Sequence, residues 1–198
     1  MPANYTPVPL HSLYTSTSYG RPALPAAGKV SRDSPAMQVM TDLEKIAAVT
    51  TGPDVNIDTA NQQMITSKVR LLLVINEQDQ VIGLITATDI LGERPMKHLQ
   101  QRGGKHADIL VQHIMTPWEQ LDVMDIKDVA SARVGDIIAT LTDVGRQHAL
   151  VVTTDPSGAH SIRGIFSSTQ ISRQLGESLE ISDKAKTFAE IEATLSAK

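Results

Sequence analysis

Apolar positions along this chain follow two alternating periods, and the alternation occurs twice. Ile57, Ala60, Met64 and Ser67 fall at i, i+3, i+7 and i+10, and Val134, Ile137, Leu141 and Val144 repeat them 77 positions later. That spacing places each set on one face of a helix. Each set is followed by an unbroken apolar run, Leu72–Ile75 in the first half and Ala149–Val152 in the second. Runs without polar alternation predict strands covered on both faces. Turn residues close them, Asn76–Asp79 and Thr154–Gly158, and further strands follow at Val81–Thr86 and Ile162–Ser167, now 81 positions apart. Helices are then expected to begin at Thr88-Asp89 and at Thr169-Gln170. The pairs open with Val39-Met40-Thr41 and Ile114-Met115-Thr116, 75 positions apart. Three segments recurring in one order make an internal repeat. Each unit reads β-α-β-β-α, and the fold class is α+β.

The flanks differ from the repeats. Residues 1–32 are rich in Pro, Ser, Thr, Ala and Gly without apolar periodicity, the pattern of a flexible arm. The first unit spans 33–94 and the second 109–176. Between them, 95–108 holds a short connecting helix that starts at Pro95, contains Leu99 and stops at Gly103-Gly104. Residues 177–198 form a C-terminal amphipathic helix with Ala185, Phe188, Ile191 and Leu195 on its apolar stripe. The partner of that stripe is the protein's own core or a second copy.

Composition narrows the classes. Hydrophobic residues make up 41% of the 198 positions, enough for a core, but aromatics only 3%. So few aromatic faces argue against a sugar-stacking or single-stranded nucleic-acid platform. The net charge of −4 is spread without a basic stripe, so no nucleic-acid partner is expected. Cysteine is absent, which excludes disulfides, thiolate metal sites and thiol nucleophiles. No apolar run reaches the roughly 18 residues of a membrane span, and no secretory signal is visible. A soluble cytoplasmic protein without a membrane partner is expected. The six histidines are scattered, no phosphate loop or nucleophile elbow occurs, and neither a metal site nor an enzyme activity is expected.

Two units of this kind, each with an apolar strand carrying Gly and then Ser or Thr before a helix, resemble a CBS-domain (cystathionine-β-synthase) pair, the Bateman module. The resemblance covers roughly residues 33–176. It implies two units packed through their sheets about a pseudo-two-fold axis, with clefts that bind AMP, ADP, ATP or S-adenosylmethionine. The family's pattern Gly-x-x-Ser/Thr-x-x-Asp is met by Gly83, Thr86 and Asp89. Glycine lets a backbone or a ligand ring come close to the strand, and Thr86 supplies a hydroxyl at its end. Thr88 and Asp89 stand at a helix start, where free N–H groups favour a phosphate. Asp89 can accept two hydrogen bonds from ribose hydroxyls, each worth about 1.5–3 kcal/mol. Either residue could instead cap that helix, worth about 1 kcal/mol.

The second unit keeps Gly164, Ser167 and Thr169 but carries Gln170 where the pattern has Asp. It is therefore expected to be a weak or empty second site, with Gln170 alternatively a solvated residue of the first helical turn. The resemblance further implies a phosphate cluster of Arg70, Arg146 and His148, each of which would otherwise be a surface residue. It also implies an adenine edge near Ala48 and Val49. The expected function is regulatory: an adenosyl ligand bound mainly in the first cleft, a homodimer, a signal to an unidentified effector protein, and no required cofactor. The alternative is a ligand-free structural or dimerisation module.

Overall fold

The computed structural model describes residues 30–179 and 181. Most of the expected arm, residues 1–29, and the stripe from Ala185 to Leu195 lie outside the described residues. In chain order the elements are β1 (Thr41–Asp42), β2 (Thr50–Thr51), α1 (Ile57–Ser67), β3 (Leu71–Ile75), β4 (Val81–Thr86), α2 (Ala87–Leu91) and α3 (Arg94–Arg102). There follow α4 (Val111–Ile114), β5 (Thr116–Pro117), β6 (Val123–Asp125), α5 (Ile126–Ser131), α6 (Val134–Asp143), β7 (His148–Thr154), β8 (His160–Ser167) and α7 (Ser168–Leu175).

The strands make two four-stranded sheets, ordered β2-β3-β4-β5 and β1-β8-β7-β6. Within each, β2 and β6 run parallel to their neighbours β3 and β7, and the other pairings are antiparallel. Each sheet takes one edge strand from the other half of the sequence: β1 pairs with β8, and β5 with β4. The opening Met-Thr segments of the repeat are therefore exchanged between the sheets.

The unbroken apolar runs are explained by what lies on either side. Leu72 and Val74 of β3 pack with Ile57, Ala60 and Met64 of α1, while Leu71 and Leu73 meet Leu150 of β7 between the two sheets. On the other side, Val151 of β7 packs with Val134, Ile137 and Leu141 of α6. The order is helices, sheet, sheet, helices, and burial of each such Leu, Ile or Val stabilises the fold by about 1.5–3 kcal/mol. Both long helices keep the expected apolar face for three positions. The fourth, Ser67 and Val144, falls at the helix end and is exposed, since the chain turns there at Lys68 (φ 55°) and Gly145 (φ 62°).

Side-chain caps fix where the helices begin. Asn56 accepts from the Asp58 N–H at 2.8 Å to start α1, and Asp125 accepts from the Lys127 N–H at 2.8 Å to start α5. Helix α3 has Pro95 in its first turn and closes at Gly103 (φ 72°). Each unit keeps the order β-α-β-β-α, from β2 to α2 and from β6 to α7 (with α5 and α6 sharing the helix place in the second), opened by the short strands β2 and β6. These strands of two and three residues give too little periodicity to be read from sequence. Among the described residues, no helix is long and apolar enough to cross a membrane.

Candidate functional site

The site grows from the turn between β4 and α2. Gly83 sits opposite Pro117, with Leu84 opposite Thr116. A Cβ on Gly83 would stand 2.6 Å from the Thr116 carbonyl oxygen and 3.3 Å from Pro117 Cα. The glycine lets the exchanged strand β5 pair, the close backbone approach that its missing side chain allows. Gly164 is its counterpart in the other sheet, where the Met40 side chain fills the space a Cβ would take.

Helix α2 begins one residue earlier than the pattern predicts, and Thr86 is its cap. The Thr86 hydroxyl accepts from the Asp89 N–H at 3.2 Å, and Asp89 Oδ2 accepts from the Thr86 N–H at 2.9 Å and from its hydroxyl at 2.8 Å. This reciprocal capping box satisfies two otherwise orphaned donors. Thr88 takes no part in it, whereas the Asp89 carboxylate serves the cap from within the helix. Thr88 is exposed in the second helical position, and Asp89 is buried in the third.

The other carboxylate oxygen of Asp89 is held by a residue that the sequence did not single out. Arg94 Nε lies 3.1 Å from Asp89 Oδ1, and Nη1 donates to the Ile114 carbonyl at 2.7 Å and to the Thr116 hydroxyl at 3.1 Å. Arginine presents a rigid fork of donors, so one side chain can join a carboxylate to a strand.

A cavity of about 270 Å³ opens beside this group. Thr86, Thr88, Asp89 and Arg94 form one wall, and Gln120–Asp122 with Arg146–His148 form the other. It thus lies between the two halves of the sequence. Arg146 is already engaged, donating to the Gln120 carbonyl at 3.2 Å and pairing with Asp122 at 3.2 Å. Burial, and then the Arg70 charge, push the His148 pKa down to about 4 against an opposing pull from Asp89, so the ring is neutral near pH 7.

The expected cluster of Arg70, Arg146 and His148 is divided. Arg146 and His148 line this cavity, whereas Arg70 lines the one on the second unit, close enough for its charge to act on His148. Ala48 and Val49, the expected adenine edge, are not among the residues lining this cavity. Ala48 packs into the layer between the sheets, and Val49 packs on the first sheet's core with its carbonyl bonded to the Leu73 N–H. Gln120–Asp122, from the second repeat, line the cavity instead.

The second cleft is built differently. Ser167 precedes α7 without a side-chain capping bond, and Thr169 is exposed at the cavity wall. Gln170 is not a solvated residue: its Oε1 accepts from the Thr41 hydroxyl at 3.0 Å, across to the exchanged strand β1. The adjoining cavity, about 420 Å³, has Arg70 and Arg173 in its wall and is bounded by Leu179 and Ile181 beyond α7. Among the described residues, no three His, Asp or Glu side chains gather where a metal ion could sit.

Comparison with known proteins adds the following. Residues 36–95 match the family model of the CBS domain. No curated protein matches the chain in sequence. A conserved uncharacterized protein of Pyrococcus horikoshii superposes with a TM-score of 0.53 at 22% identity, over 76% of this chain and 98% of that one. A Methanocaldococcus jannaschii protein, described as a proposed archaeal homolog of g-AMPK, gives 0.50 at 19% identity over 70% of this chain and 49% of that one. CBSX2 in complex with AMP gives 0.49 at 22% identity, over 71% and 94% respectively. At these identities the likeness is one of fold.

Proposed function

This chain carries a CBS domain and folds as a CBS pair, and from that premise we propose that it is a regulatory module whose first cleft takes an adenosyl ligand. The ligand class is AMP, ADP, ATP or S-adenosylmethionine. The observation that carries this reading is the cavity beside Asp89, whose walls come from both halves of the sequence. A ligand seated there touches both halves at once. It can therefore favour one arrangement of the pair over another, which is what a regulatory ligand must do.

Thr86, Thr88 and Asp89 would receive the sugar hydroxyls, and Arg146 a negative group. In the second cleft the equivalent of Asp89 is a glutamine already bonded to Thr41, which supports a weaker site there. The protein would act as a homodimer that signals to an effector, without catalysis of its own. A thermal-shift series with adenosine, AMP, ATP and S-adenosylmethionine tests this. A rise in melting temperature with one of them is expected, and none up to millimolar concentration would exclude a ligand-regulated module.

A second reading, a ligand-free dimerisation module, draws on exposed apolar side chains at Leu91 (72%) and Met96 (58%). Under that reading Leu91→Glu would dissociate the dimer in light scattering, and nucleotides would leave the melting temperature unchanged.

A further inference from the structure

Arg94 stands where the cavity meets the exchanged strand. Its Nε holds Asp89 Oδ1 at 3.1 Å, and its Nη1 holds Ile114, the last residue of α4, and Thr116, the first of β5. One guanidinium thereby ties the carboxylate at the head of α2 to the segment that passes from one half of the sequence to the other. The second unit makes the same connection without a cation, since Thr41 of β1 donates directly to Gln170. The residue there that matches Arg94 is Leu175, 81 positions on, which has no donor to offer. Both units join the exchanged strand to the third residue of the following helix, one of them through a side chain that can move.

Asp89 Oδ2 already accepts two bonds from Thr86. A ligand diol must therefore use Oδ1, the oxygen that Arg94 holds. Resting on the reading that an adenosyl ligand uses Asp89, we propose that Arg94 competes with the ligand for this carboxylate and transmits its arrival to β5. When the ribose hydroxyls take Oδ1, the guanidinium is drawn off Asp89 and its bonds to Ile114 and Thr116 are disturbed. Arg94 is thus a specificity and coupling residue, setting both how tightly a diol binds and whether the strand registers it.

Trp118, the chain's single tryptophan, lies one residue beyond β5 and is 60% exposed, so its emission reports on this strand. The test uses the full chain with adenosine, an uncharged diol, followed by calorimetry and Trp118 emission. Adenosine is expected to shift the emission of the wild type. Arg94→Gln is expected to bind adenosine about threefold or more tightly while its emission stays unchanged. Equal or weaker binding by Arg94→Gln overturns the competition, and an emission response that survives in it overturns the transmission. Thr116→Val cuts one strand contact only, so it should damp the emission response and leave affinity within about twofold. If neither wild type nor Arg94→Gln binds adenosine, AMP or S-adenosylmethionine at millimolar concentration, the ligand reading and the competition both fall. The tie to β5 is then decided in the unliganded protein. Asp89→Asn must raise acrylamide quenching of Trp118 about 1.5-fold or more, while Thr86→Val, which breaks the cap but keeps the pair of Asp89 and Arg94, must not. Equal quenching in Asp89→Asn and wild type overturns the tie.

Discussion

The Thr41 hydroxyl donates to Gln170 Oε1 at 3.0 Å, bonding the first repeat's opening strand to the second repeat's last helix. Gln170 occupies the position that Asp89 holds in the first unit, but it is spent on a contact within the fold. Gln170→Ala should therefore lower stability by about 0.5–1.5 kcal/mol in urea denaturation, the net value of a hydrogen bond, and leave adenosyl affinity within about twofold. A cycle of Thr41→Val and Gln170→Ala should show coupling between the two positions. Additive losses would mean that the bond contributes nothing.

The two glycines that admit the exchanged strands should respond differently to a methyl group. On Gly83 it meets backbone, the Thr116 carbonyl oxygen at 2.6 Å, which cannot move without parting β4 from β5. Gly83→Ala should cost about 1–3 kcal/mol, as overpacking does. On Gly164 its nearest neighbours are atoms of the flexible Met40 side chain, with Cγ at 2.8 Å and Cε at 2.9 Å. Gly164→Ala should cost less, and Met40→Ala should restore part of the loss. Thermal denaturation of the three variants decides it, and equal losses for the two glycines would contradict the account.

How far the sequence can be read follows from the range of each interaction. Ile57, Ala60, Met64, Val134, Ile137 and Leu141 announce their helix faces through a local period, and all six are buried as that period requires. Leu72–Ile75 and Ala149–Val152 announce doubly covered strands in the same local way. The exchange of β1 and β5 leaves no local mark, because which sheet a two-residue strand joins depends on contacts more than a hundred residues away for β1. Its one trace is the glycine opposite each strand, open to more than one interpretation. Arg94 carries no local signal, because its partners Asp89 and Thr116 come together only when α3 packs beside α2 and α4. The part of the cavity wall formed by Gln120–Asp122 leaves no mark near Thr86 for the complementary reason: it comes from the other repeat.

His148 offers a pH test of the cavity. Its folded pKa of about 4 lies below the ordinary 6.5, through burial first and the Arg70 charge second, with Asp89 pulling the other way. The unfolded chain therefore binds this proton more readily, and the contribution of neutral His148 is complete above pH 6.5 and lost as pH falls towards 4. The His148 ring resonance should titrate near pH 4. Arg70→Gln should move that midpoint upward and Asp89→Asn downward, with Arg94, Arg146 and Asp122 also facing the cavity. A midpoint near 6.5 would mean that the ring is solvated.

A second acid-sensitive element lies at the β1–β8 edge. Arg163 holds both oxygens of the buried Asp42, and its Nε pairs with Glu44 at 2.9 Å. The Arg163 hydrogen bond, against the opposing effect of burial, keeps the Asp42 pKa at about 2, below the reference 3.8. Since the folded value is depressed, the stabilisation is full above the unfolded pKa and fades as pH falls from about 4 to 2. Arg163→Met should flatten that part of the stability curve. A curve parallel to the wild type would refute the assignment.

The most direct test of the central claim is calorimetry of one adenosyl series, AMP, ATP and S-adenosylmethionine, against wild type, Asp89→Ala and Gln170→Ala. The account predicts that the wild type binds at least one of them, that Asp89→Ala weakens it by about 1.5 kcal/mol or more, the value of a bond to a charged acceptor, and that Gln170→Ala changes little. No binding to the wild type at millimolar concentration, or equal affinity in Asp89→Ala, would contradict it.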